Sequence, residues 1–154
     1  MHKVLAQRTS WVSALSAIPS SELLRLTEKL TVDWQVQAKA VPQSGLGILR
    51  LNDSALHEDF YLGEFPFASA WLQVTTSDGK TAEGAAQLMD ERLDVVEAMA
   101  LCDAILSARL PGWERVLRLI ETGLALREAT RRERSLMLAH TRVDFSLLDE
   151  AGAN

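Results

Sequence analysis

The sequence predicts an α+β fold: an N-terminal helical hairpin, an antiparallel sheet of four or five strands, then two or three C-terminal helices packed on one face. Three observations predict it. The apolar spacing is helical to about residue 31, has period two between residues 34 and 88, and turns helical again from residue 91. The strand-like runs are joined by short turn-type segments, which build hairpins and not crossovers. At 154 residues, 47% hydrophobic and 24% charged, the chain is the size and composition of one globular domain spanning 1–154.

Trp11, Val12, Leu15 and Ile18 fall on one helical face, and Pro19 stops that helix. Ser20 or Ser21 can cap a second helix that carries Leu23, Leu24, Leu26 and Leu30. A link this short predicts a helical hairpin. Trp34, Val36, Ala38 and Ala40 then alternate with Gln35, Gln37 and Lys39, a strand with one wet face. Turn residues at 42–45 separate it from a strand at 46–51, and a polar connection runs over 52–59. A short strand at 60–63 stops near Pro66, and a longer one covers 68–76. Ser77, Asp78 and Gly79 supply a hairpin turn, since glycine accepts positive φ without strain, and 80–88 returns as the partner strand. Asp90 can cap a helix over 91–107. Pro111-Gly112 breaks the chain, and helical spacing resumes from Trp113 to about His140, with a possible interruption at Gly123.

The net charge of −5 argues against a nucleic-acid binder, whose footprint is basic. One cysteine rules out an internal disulfide. The segment 1–6 lacks the apolar core of a signal peptide, and no run is long enough to span a membrane, so a cytoplasmic location is expected.

The chemistry-bearing residues do not assemble into a known motif. His2, His57 and His140 have no ligand-type neighbours at metal spacing, so no metal site is expected on this chain alone. Cys102 sits between apolar residues without a base, which favours an inert buried thiol over a nucleophile. Gly45-Leu46-Gly47 sits at a strand start and reads as turn geometry and not as a phosphate loop. Arg127, Arg131, Arg132 and Arg134 read as a solvated helix face, with an interface or phosphate contact as the sharper alternatives; Glu128–Arg132 and Glu114–Arg118 are spaced to pair. Of the tryptophans, Trp11, Trp34, Trp71 and Trp113, most suit a core, and an exposed one would suit a subunit contact.

The helix at 91–107 is apolar around most of its circumference, so it is buried on most sides or lies at an interface. Asp103 falls between Val96 and Met99 on that surface, and a buried carboxylate needs a partner. Arg142 is the candidate. It belongs to the tail Thr141-Arg142-Val143-Asp144-Phe145, which places two opposite charges and an aromatic near the chain end. Termini fray unless something binds them, so the tail suggests docking.

The order of these pieces resembles PhnG, the G subunit of the bacterial carbon–phosphorus lyase core complex. Arg8 and Trp11 look like the family's opening Arg, Gln, Trp segment. Ser44-Gly45-Leu46 looks like its Thr-Gly-Leu, Leu62-Gly63-Glu64 like its Leu-Gly-Glu, and Asp78-Gly79 like its hairpin. Glu97 and Leu101 to Leu106 look like its Ala-Glu and Leu-x-Asp-Ala-Leu helix, and residues 141–145 like its closing segment. The chain departs from the family at Leu51-Asn52-Asp53-Ser54 in place of a glycine-rich link, at Ala70-Trp71 in place of Thr-Arg, at Val95 in place of a histidine, and at Ser146 in place of a phenylalanine. A ligand or catalytic role of that histidine therefore does not carry over.

The resemblance implies a protein that acts with H, I and J subunits. With the H, I and L proteins it would support transfer of ribose triphosphate from MgATP to an alkylphosphonate with release of adenine. It implies no catalytic residue, cofactor or metal on this chain, with Arg8, Trp11, Asp103, Arg142, Asp144 and Phe145 as structural or partner-contact candidates. The other reading of the residues is a free-standing α+β ligand-binding or regulatory domain. Apolar surfaces left uncovered would make the isolated chain self-associate.

Overall fold

The computed structural model describes residues 8–140. A single 3-10 turn, Arg8–Ser10, leads into α1 (Trp11–Leu15) and α2 (Ser20–Thr31). Three strands follow, β1 (Gln35–Asn52), β2 (Asp59–Thr75) and β3 (Thr81–Leu88), and then α3 (Leu93–Ser107) and α4 (Trp113–His140). The fold is α+β, with one antiparallel sheet in the order β1-β2-β3.

Among the described residues the sheet has three strands, where the sequence suggests four or five. The two expected breaks do not interrupt pairing. β1 runs through Pro42 and Gly45 because register shifts between Ala38 and Ala40, and between Ala40 and Gln43, absorb the irregularity. β1 is also an edge strand, where a missing proline N–H is tolerated. Pro66 pairs with Leu46 at a level β3 does not reach, so β2 has only one neighbour there. The polar connection is a tight loop over 53–58, where Asp53 accepts hydrogen bonds from the N–H groups of Ala55 (3.1 Å) and Leu56 (3.0 Å). The β2–β3 turn falls at Ser77 to Gly79 as expected.

β1 differs from its expected alternation. Nearly all of its side chains are exposed on both faces, because α3 packs on β2 and β3 and barely reaches β1. The dry face is carried by Ala68, Ala70, Leu72 and Val74 of β2, with Ala86 of β3.

α3 is the centre of the molecule. Val95, Val96, Met99, Cys102, Ile105 and Leu106 are buried, with the sheet on one side and α1, α2 and α4 against the others. The two N-terminal helices do not form a mutually packed hairpin. α1 lies on α4 and α2 on α3. α4 is continuous through Gly123, which instead marks a crossing. A Cβ there would clash with the backbone carbonyl of Ala14 in α1. Gly84 of β3 does the same work against α3, where a Cβ would overlap the Ala100 carbonyl and the Ala104 N–H.

In a helix, Gly→Ala ordinarily stabilises by about 1 kcal/mol. Gly123→Ala should reverse that sign, because the obstructing atoms are backbone and overpacking costs about 1–3 kcal/mol or more. A lower melting temperature by circular dichroism is the expected result. An unchanged or higher one would mean that α1 and α4 cross more loosely than this.

Candidate functional site

Three donors converge on Asp103. Arg8 donates from Nε to Oδ1 at 2.7 Å and from Nη2 to Oδ2 at 2.5 Å, and the N–H of Ala85 donates to Oδ2 at 3.0 Å. β3 is an outer strand, so alternate N–H groups point away from β2, and Asp103 takes the one at Ala85. The carboxylate side chain is 9% exposed and the guanidinium 58%. Asp103 is thus buried and paired as its helical position predicts, and the partner among the described residues is Arg8. The expected partner, Arg142, lies outside the described residues. The bidentate bond to Asp103 raises the Arg8 pKa above its ordinary value, more than partial burial lowers it.

A hollow of about 230 Å³ adjoins the pair, walled by Trp11, Val12, Leu15 and Ile120. Trp11 is 4% exposed and belongs to the core. Cys102 also borders the hollow, but burial, with a smaller contribution from the Asp103 charge, pushes its thiol from an ordinary 9.0 up to about 12. A thiol held in that protonated form is a poor nucleophile. His57 sits in the 53–58 loop with φ 56°, far along the chain from any cysteine. His2 lies outside the described residues. No group of three or more metal-ligating side chains occurs among the described residues.

Apolar surface is the more distinctive feature. Beyond the end of β3, β1 and β2 continue as a two-stranded arm from Gly45↔Phe67 to Asn52↔Asp59. Leu46, Ile48, Phe60, Tyr61 and Leu62 on this arm are all exposed, Leu46 at 69%. Phe65 packs over Gly47 and meets Phe67 edge-to-face at 6.4 Å, which stiffens the base of the arm. A two-stranded ribbon is marginal in water by itself, and this one presents a hydrophobic surface of the kind that marks contact sites. The distal part of α4 is a second projection, with Leu126, Leu136, Met137 and Leu138 exposed. Trp71 is the exposed tryptophan, on the sheet face opposite α3, its indole N–H bonded to Glu83 at 3.1 Å.

The basic residues of α4 divide. Arg132 pairs with Glu128 at 3.0 Å as its spacing predicts. Arg127 turns back to the Ser13 carbonyl at 2.7 Å. Arg118 makes no ion pair with Glu114; it lines the groove between α4 and α2. Asp144 and Phe145 lie outside the described residues. No helix among the described residues is long and apolar enough to cross a membrane.

The sequence model of the family described as "Phosphonate metabolism protein PhnG" matches residues 6–149. The chain belongs to the PhnG family. It therefore has a role in phosphonate metabolism. No curated protein matches the sequence. The matched span encloses Arg8, Trp11 and Asp103, so the ion pair lies within the PhnG-like region. Val95, which stands where the PhnG pattern has a histidine, is 3% exposed and surrounded by core. An apolar residue there is consistent with its setting, and no buried polar side-chain atom is missing a hydrogen-bond partner among the described residues.

Two expectations follow. Arg8→Ala should cost about 1–2 kcal/mol, below the ~3–5 kcal/mol of a wholly buried pair, because the guanidinium is largely in water. Asp103→Ala also strands the Ala85 N–H and should cost more, and a double-mutant cycle should show positive coupling. Additive losses would dissolve the pair as a structural link. Separately, the thiol should resist Ellman's reagent at pH 8 in the folded protein and react on unfolding. Because the unfolded chain loses that proton near 9 while the folded one keeps it, stability should fall as pH rises through about 9 to 12.

Proposed function

We propose that this protein is a non-autonomous subunit of the carbon–phosphorus lyase system of phosphonate-degrading bacteria. It supports transfer of ribose triphosphate from ATP to an alkylphosphonate, with release of adenine, and it acts with the H, I, J and L proteins in the cytoplasm. MgATP is a substrate of the assembled system, and this chain holds no cofactor and supplies no catalytic side chain. The observation that carries the reading is the apolar two-stranded arm on a PhnG-family chain: Leu46, Ile48, Tyr61 and Leu62 are each more than half exposed. Burial of such side chains is worth roughly 25 cal/mol per Å², so a partner that covers the arm is strongly favoured over water.

The same logic predicts that the isolated chain self-associates. It also assigns the two projecting elements to assembly and the Asp103 pair to holding the body from which they project.

Deletion of the gene should abolish growth on methylphosphonate as sole phosphorus source and leave growth on phosphate intact. Ile48→Asp with Tyr61→Asp should give a chain that melts as the parent does, co-purifies far less with its partners, and fails to restore growth. Normal growth of the deletion strain, with no second gene of this family present, would refute the assignment. Full co-purification of the arm variant would move the contact elsewhere. A tagged chain that elutes alone as a stable monomer would favour a free-standing domain.

A further inference from the structure

α2 ends where α4 begins, with Leu30 against Gly112, and the two helices leave a groove of about 340 Å³ between them. Arg25 and Lys29, one turn apart on α2, line one wall, and Arg115 and Arg118, one turn apart on α4, line the other. Like charges at these spacings repel. An acidic chain has carboxylates to spare for neutralising them, with 21 Asp and Glu against 16 Lys and Arg. Yet among the described residues none of the four cations makes an ion pair. Glu22 is the one acid on the groove wall, leaving an excess of three positive charges. All four side chains are exposed and reach the groove without desolvation cost.

We propose that this groove is a polyanion site that takes a ligand with a di- or triphosphate chain. Three excess charges match three to four phosphate charges. Three guanidinium forks can each engage phosphate oxygens in pairs, with Lys29 as a point charge beside them. The volume is at the lower end of small-ligand sites, about 300–1,000 Å³. That favours a compact phosphate chain over an acidic protein surface, which needs a broad contact. Leu26 and Leu119 lie between the walls and limit the depth, so the ligand lies along the helices. The groove is separate from the arm, and the inference does not rest on the proposed role in the lyase system.

The test is calorimetric titration of the full chain with inorganic triphosphate at fixed ionic strength, with monophosphate and sulfate as comparisons. Triphosphate should bind at least tenfold more tightly than either. Arg25→Ala with Arg118→Ala should weaken it by at least tenfold without lowering the melting temperature. Arg25→Lys with Arg118→Lys should recover part of the loss, because charge returns without the fork. Arg131→Ala with Arg134→Ala, on the distal part of α4, should leave binding unchanged. The proposal fails if triphosphate does not bind, if it binds no better than sulfate, or if the distal pair matters as much as the groove pair. It also fails if Arg25→Glu with Arg118→Glu blocks assembly with partner subunits while triphosphate binding to the parent is absent. That outcome would assign the groove to an acidic protein face. Growth on phosphonate tests the lyase assignment independently of any of these results.

Discussion

A carboxylate on an otherwise apolar helix is the constraint around which this fold is organised. Asp103 sits among buried residues of α3, where an unpaired charge would be prohibitive. It is made acceptable by Arg8, 95 residues away, and by the backbone of β3. The arrangement does three things at once. It pins the segment before α1 over the central helix, it holds β3 against α3, and it occupies an outward N–H on an edge strand that would otherwise be open to pairing. The guanidinium covers the pair from the solvent side, so the charge is neutralised without full desolvation of both partners.

The close approach of backbones around α3 follows from the same geometry. Gly84 lets β3 lie on the Ala100–Ala104 turn, which brings the Ala85 N–H within reach of Asp103. Gly123 lets α4 cross α1, which carries Trp11 into the core behind Arg8. The body is therefore tightly specified at its centre, while the β1–β2 arm and the distal part of α4 extend from it with little apolar cover. Rigid body and uncovered extensions together describe a component made to be held by others.

Much of this was legible in advance. The α+β class, the antiparallel pairing, the turn at Ser77 to Gly79, the break at Pro111-Gly112 and the burial of the 93–107 helix all follow from spacing and turn chemistry. So does the burial of Asp103, since its position on the helix is set by a period of 3.6. The strand count was not legible, because Pro42 and Pro66 are read as stops when nothing in the local sequence tells an edge strand from a central one. The alternation in β1 misleads for a related reason: it records which side chains share a face, and not whether anything covers that face.

The sequence by itself determined the period of each segment, the turns between most of them, the family to which the chain belongs and the presence of one charge on a buried helix. These depend on residues near one another or on an ordered pattern along the chain. Only the tertiary structure decided that Arg8 meets Asp103, that β1 and β2 outrun β3 to leave an apolar arm, and that Arg25, Lys29, Arg115 and Arg118 share one groove. Each of these brings together side chains far apart in the chain, and such a meeting is set by how helices and sheet pack, a quantity that local spacing does not contain.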